Sequence, residues 1–232
     1  MSKLKTDIII SPHYDDAVLS LFHLLYKNPN LKLITVFSGK PAITTYKLWD
    51  MVCTGMSSNK TMLKRENENQ QVARNLGIIK SVDLGFLEHQ YETSSPERFN
   101  IMKEKIKSLI DSKTDKVYFP IAFGDFVSHP DHQELRNIGL ELIKEDYNII
   151  FYNDFPYINP VKFIANNKID KLNKNMNLNL KIKVNSLSGS ILKLKYETMK
   201  QYKSQFIMTN LVSFNRLRRT NLYKLEITLI KD

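Results

Sequence analysis

Two short stretches place histidine beside aspartate: Pro12-His13-Tyr14-Asp15-Asp16 and His129-Pro130-Asp131-His132. Imidazole and carboxylate are ligands of catalytic zinc sites, which take three groups from the protein and leave one position open. His13 and Asp16 are three residues apart. If a helix starts near Tyr14 or Asp15, they lie within about one turn of each other and one ion can take both. Asp15 then points elsewhere, and an unbound carboxylate beside a metal-bound water is what a general base needs. His129 and His132 repeat the spacing, with Pro130 at the first helical position, where its missing N–H costs nothing. Each stretch alone also fits an ordinary helix start, with Asp15 or Asp16 as N-cap, His13 as a core histidine and Asp131 facing the helix dipole. Two such stretches, each following a strand and opening a helix, favour a metal-dependent hydrolase.

The elements that must position these residues are read from periodicity. β-branched or alternating apolar runs predict strands over 7–11, 31–38, 81–84, 116–120, 148–152, 177–185 and 223–230. Helical spacing predicts helices over 17–26, 61–76, 96–110, 129–144 and 191–206, the second closed by Gly77. Residues 39–60 show no clear period and read as a long loop, which in a compact domain is usually functional. Strands alternating with helices through residue 152 imply an α/β fold with a mostly parallel sheet covered on both faces. Sites in such sheets form beyond the carboxyl ends of the strands, where both His/Asp stretches fall. With no internal repeat and no linker, residues 1–232 read as a single domain.

The chain has 232 residues, 42% hydrophobic and 25% charged, enough for a full α/β core. No apolar run reaches membrane-spanning length, and the 7–10 run after Lys3 and Lys5 is too short for a signal-peptide core. The formal charge is +10, but the lysines are spread from Lys3 to Lys231, densest over 168–183, with no recognition motif for nucleic acid. A solvated lysine-rich surface is the simpler reading, with attraction of a phosphorylated or nucleotide-linked substrate as a further use of the charge. The single cysteine, Cys53, has no histidine close by in sequence and no partner for an internal disulfide, which suits a reducing, cytoplasmic setting.

The same residues resemble a known family, the LmbE-like or PIG-L zinc-dependent N-deacetylases. Pro12-His13-Tyr14-Asp15-Asp16-Ala17 is similar to the family's Pro-His-Pro-Asp-Asp-Glu, and His129-Pro130-Asp131-His132 to its His-x-Asp-His. Further similarity lies in Arg65-Glu66-Asn67-Glu68, in Leu84-Gly85-Phe86-Leu87, in Phe151 through Tyr157, and in Lys195-Tyr196 through Tyr202-Lys203-Ser204-Gln205. The resemblance implies a Rossmann-like three-layer α/β sandwich and one Zn2+ ion held by His13, Asp16 and His132. It implies Asp15 as general base and His129 as acid or oxyanion stabiliser. It also implies an N-acetylated amino sugar, an N-acetylglucosamine-like derivative that is free, nucleotide-linked or lipid-linked, as substrate. Tyr14 and Ala17 depart from the family pattern, which touches the metal's surroundings and the substrate more than the ligand set.

On this reading a metal-bound water attacks the amide carbonyl, Asp15 takes its proton, and acetate leaves from a free amine. Three residues are candidate substrate contacts. Arg65 suits a sugar hydroxyl or a phosphate, or else a surface ion pair with Glu66 or Glu68. Asp125, four residues before His129, can orient it or be an ordinary loop aspartate, and Tyr152 can shape a sugar pocket with Asp154 and Tyr157 or be only a strand residue. Glu88 and His89 can reach the site from a strand end, and Trp49 can stack on a sugar from the 39–60 loop. The donor set also suits Fe2+ and other divalent ions. Competing readings are an amidase for another acylated amine, a non-catalytic sugar-binding protein and, from charge alone, a nucleic-acid binder. Homo-oligomerisation, common among such relatives, is left open.

Overall fold

The structure, a computed structural model, describes residues 6–122, 129–155, 168–208 and 225–231. Its elements run β1 (Asp7–Ser11), α1 (Asp16–Lys27), β2 (Lys32–Thr35), α2 (Leu48–Thr54), α3 (Ser58–Leu76), β3 (Lys80–Asp83), α4 (Pro96–Lys107), β4 (Lys116–Pro120), α5 (Pro130–Lys144) and β5 (Ile149–Tyr152). Beyond these lie α6 (Lys168–Met176), β6 (Leu180–Ser186), α7 (Gly189–Met199), α8 (Lys203–Met208) and β7 (Leu225–Lys231). The strands form one sheet in the order β3-β2-β1-β4-β5-β7-β6. The first five are parallel, and β7 runs antiparallel between β5 and β6. This is the α/β layered arrangement expected from the alternation of strands and helices.

Strand β1 is apolar without interruption because both of its faces are covered. Ile8 and Ile10 pack on one side with Val117, Phe119 and Phe151, under α4 and α5. Ile9 points to the other side with Tyr118, Ile150 and Tyr152, under α1 and α3. Helix α5 lies close to its side because Gly139 faces the sheet, where a Cβ would come within 3.0 Å of both Phe119 and Phe151. His132, Leu135, Gly139 and Leu142 recur at helical spacing along that buried stripe. The glycine that seats the helix thus also sets the depth of its first turn.

Three segments differ from the sequence expectation. Residues 39–60 are not all loop: they contain α2 and the first residues of α3. Helix α2 hides from periodicity because it is only seven residues long and turns Leu48, Met51 and Val52 outward while burying Asp50 and Cys53. Lysine and asparagine over 168–176 conceal α6, which still sends Ile169 and Leu172 to the core. The single helix expected over 191–206 is two, α7 and α8. Tyr202 lies between them, buried, with its hydroxyl donating to Asn69 Oδ1 at 3.0 Å, and Ser204 gives its N–H and hydroxyl to Glu68.

A buried ion pair ties the far end of the chain to α1. Leu21 leaves helical geometry (φ −133°, ψ 33°), which frees the N–H groups of the next turn. Glu226 of β7 accepts from Phe22 N–H and His23 N–H, both at 3.0 Å, and also contacts His23 Nδ1. Lys195 of α7, itself buried, balances the charge at 2.6 Å. Burial alone would raise the Glu226 carboxyl, but Lys195 and His23 outweigh it and hold its pKa below the ordinary value. A carboxyl whose pKa falls on folding stabilises the fold above its unfolded-chain pKa of about 4.3 and loses that contribution as pH drops through the folded value. Replacing Lys195 with Met strands the carboxylate and is expected to cost roughly 3–5 kcal/mol at neutral pH by urea unfolding. The stability gap between wild type and Glu226→Gln should narrow on acidification below about pH 4.3; a gap independent of pH would show that the charge does not stabilise this junction.

Candidate metal and active site

The first His/Asp stretch makes the turn from β1 into α1. Ser11 Oγ donates to the His13 carbonyl at 2.6 Å and accepts from Ala17 N–H at 3.1 Å, closing the turn. Asp15 occupies the N-cap position, yet its carboxylate makes no capping hydrogen bond; it lines a cavity instead. Asp16 folds back, and its Oδ2 accepts from His13 N–H at 2.8 Å and lies 3.1 Å from His13 Nδ1.

The second stretch opens α5, with His129 at the N-cap and Pro130 in the first turn. His132 is buried and brings Nε2 to 3.3 Å from Asp16 Oδ2. β1 and β4 are neighbours in the sheet while β2 lies on the other side of β1, so the two stretches meet at the topological switch point. The rings of His13 and His132 are 5.3 Å apart.

His13, Asp16 and His132 each offer a ligand atom within 4.8 Å of the others, all from buried side chains. Ligands about 2.0–2.1 Å from a tetrahedral zinc are separated by about 3.3 Å. The contacts that join both imidazoles to Asp16 Oδ2, at 3.1 and 3.3 Å, match that spacing. Electrostatics agree. Burial would lower both histidines, yet Asp131 and Asp16 raise His13 well above the ordinary range, and Asp16 and Asp154 raise His132 to about 9. Burial likewise would raise Asp16, but the two imidazoles hold it well below the ordinary value. The cluster thus draws positive charge into a buried space, and its donor set fits a divalent cation.

Behind each imidazole stands a carboxylate. His13 Nε2 lies 2.8 Å from Asp131 Oδ2, and His132 Nδ1 lies 3.8 Å from Asp154 Oδ2. The Asp131 contact is a hydrogen bond that fixes the His13 tautomer and aims the opposite nitrogen at a metal, while Asp154 acts on His132 through its charge. Asp131 is fully buried and accepts His89 N–H on its other oxygen at 2.9 Å. Asp154 is anchored by Ala122 N–H at 2.6 Å, and Ala122 adopts φ 46°, the left-handed region that glycine favours. Ala122 lies two residues beyond the end of β4.

The cavity, of about 360 Å³, is lined by His13, Asp15, Asp16 and His129, and further out by Trp49, Arg65, Glu88, Gln90 and Gln205. Burial first, and then the charge of Asp16, raise Asp15 to about 6. His129 is partly exposed, with Nδ1 3.4 Å from Asp131 Oδ2. Burial, followed by the charge of His13, lowers it to about 3, against the pull of Asp131.

The candidate substrate contacts fare differently. Arg65 is buried, not on the surface, and does not pair with Glu66 or Glu68. Its guanidinium lies 2.8 Å from Glu88 and 3.6 Å from Asp50, so two carboxylates already meet its charge. Tyr152 lines no part of the cavity: β5 is buried on both faces, and the Tyr152 ring packs in the core with its hydroxyl donating to the Ile10 carbonyl at 2.9 Å. Asp125 and Tyr157 lie outside the described residues. Glu88 reaches the cavity wall, whereas His89 sits behind it between Asp131 and Glu134. Asp50 was not singled out from sequence, and nothing in its surroundings there signals a buried acid. Gln205 could have been found as the end of the Tyr202-Lys203-Ser204-Gln205 stretch.

A model of the PIG-L family, described as GlcNAc-PI de-N-acetylase, matches residues 8–143. The chain is 24% identical over 183 residues to the 2'-N-acetylparomamine deacetylase of Niallia circulans, covering 65% of this chain and 66% of the relative, just under two thirds of its length. A crystal structure of the zinc-inhibited form of teicoplanin deacetylase superposes with a TM-score of 0.74 at 20% identity, covering 98% of this chain and 99% of that one. N,N'-diacetylchitobiose deacetylase from Pyrococcus horikoshii superposes with a TM-score of 0.61 at 16% identity, covering 97% and 84%. At these identities the two structural likenesses are likenesses of fold.

The contact between Asp131 and His13 has a measurable consequence. Asp131→Asn keeps the shape of the side chain but weakens its hold on the imidazole. Metal affinity, read by competition with a chromogenic chelator, is expected to fall about 10–100-fold with the fold intact; unchanged affinity would show that Asp131 does not aim His13.

Proposed function

Because the chain belongs to the PIG-L family, we propose that it hydrolyses the N-acetyl group of a small acetylated amino sugar, with His13, Asp16 and His132 holding a divalent cation and Asp15 as general base. The observation that carries this reading is the divergence of two adjacent aspartates: Asp16 turns in to the two imidazoles, while Asp15 faces the cavity without capping its helix.

A divalent cation held by these residues would polarise the amide carbonyl and acidify a water molecule. Asp15 takes the proton of the attacking water. Its pKa near 6 leaves it ionised at neutral pH and still basic enough for that transfer. The same carboxyl, once protonated, can return the proton to the departing amine. His129 stands at the cavity wall, where a donor to the developing oxyanion is needed. Burial, the larger cause of its lowered pKa, and the charge of a bound cation both oppose an imidazolium, so His129 would serve there as a neutral N–H donor.

The cavity supports a sugar-sized group. Gln90 and Gln205 give its wall polar character, and Arg65, already matched by Glu88 and Asp50, is poorly placed to receive a phosphate. The relatives are named for acetylated paromamine, teicoplanin and diacetylchitobiose, which supports an amino-sugar glycoside. The two-imidazole, one-carboxylate set supports zinc, and iron is the competing ion. The relative described as zinc-inhibited makes reconstitution with each metal the direct comparison.

The test is acetate release from free, phosphorylated and nucleotide-linked N-acetyl amino sugars, with metal content measured on the same samples. Asp15→Ala is expected to keep the metal and to lower kcat/KM about 10²–10⁴-fold. Loss of metal in that variant would overturn the assignment of Asp15, and release of acetate only from acylated amines that are not sugars would overturn the substrate.

A further inference from the structure

Seven of the fourteen large apolar side chains exposed among the described residues fall between positions 43 and 56. Single exposed apolar residues are ordinary, but a contiguous group marks a contact surface. On α2 the arrangement is directional. Asp50 and Cys53 face inward, and Leu48, Met51 and Val52 face outward, with Leu48 79% exposed. Ile43 and Tyr46 of the preceding segment and Met56 after the helix are exposed as well. Trp49 stands at the border: it lines the catalytic cavity and is 48% exposed.

Charge decides what this face fits. From Ala42 to Leu63 the one acidic residue is Asp50, which is fully buried against Arg65 and Tyr91. Lys47 and Lys60 are exposed over the same stretch. Outward apolar side chains with a tryptophan, edged by lysines and free of exposed carboxylates, are the composition of a segment that settles into an anionic lipid interface. The whole chain, at a formal +10, is drawn to the same surface. Among the described residues no helix is long and apolar enough to cross a membrane.

We propose that the outer face of α2 docks the protein on an anionic lipid surface. The docking does not rest on the deacetylase reading. Trp49 is the chain's single tryptophan and reports on its own surroundings. The full-length protein is mixed with vesicles of phosphatidylcholine, with and without one third phosphatidylglycerol, and followed by Trp49 emission and co-sedimentation. A blue shift and binding about ten-fold stronger on the anionic vesicles are expected. The exposed pair Leu48→Glu with Val52→Glu should lower that binding about ten-fold, as should Lys47→Glu with Lys60→Glu, while acetate release from a small water-soluble substrate stays unchanged. Absence of vesicle binding, equal binding to neutral vesicles, or undiminished binding by both variant pairs overturns the proposal. Self-association without lipid that the Leu48 and Val52 changes abolish would assign the face to a second copy and also overturn it. Vesicle binding without acetate release from any sugar would leave docking standing and remove the deacetylase reading.

Discussion

One carboxylate oxygen holds the two halves of the site together. Asp16 Oδ2 lies within 3.3 Å of the His13 amide, His13 Nδ1 and His132 Nε2. The first two come from the turn after β1, and the third comes from a helix that begins more than a hundred residues later. Such convergence requires neighbouring parallel strands whose carboxyl ends open on the same edge, and the β1–β4 pairing provides it. Where three polar atoms crowd one buried oxygen, some positive charge must be shared among them, as protons or as a cation.

The surrounding residues limit how far that cluster can move. Asp131 and Asp154 stand behind the two imidazoles, and each is itself held by a backbone N–H, from His89 and Ala122. His89 leans in turn on Glu134, which takes the hydroxyl of Ser94. The polar chain passes from the site into the loop before α4 and the first turns of α5. Its members are buried or partly buried, so displacing any one leaves another without its partner. Orientation is built in before any ligand arrives, which is how a site keeps its reorganisation small during reaction.

Much of this was legible in the sequence, for identifiable reasons. The buried strands announce themselves because a strand covered on both faces is apolar throughout, as Ile8-Ile9-Ile10 is. The two His/Asp stretches stand out because ligand spacing and helix starts coincide there. What lies across space is harder to read. No spacing links His13 to Asp131, and the burial of Asp50 and Arg65 depends on α2, whose outward apolar face contradicts the usual rule of amphipathic helices. Tyr152 looked like a pocket residue because it precedes the Asn153-Asp154-Phe155 stretch. Its strand is covered on both faces, so the core takes its ring whichever way it points.

The Glu226 junction bears on how this molecule is made. His13, Asp16 and His132 all lie before position 133, yet the interrupted helix that carries Asp16 is completed by the Glu226 carboxylate of β7, some two hundred residues later. During synthesis the amino-terminal two thirds can pair its parallel strands, but the Phe22 and His23 amides stay uncapped until β7 slots between β5 and β6. The setting of the first helix is thereby coupled to the docking of β7. A chain without that strand would carry Asp15 and Asp16 on a helix that is not yet locked in place.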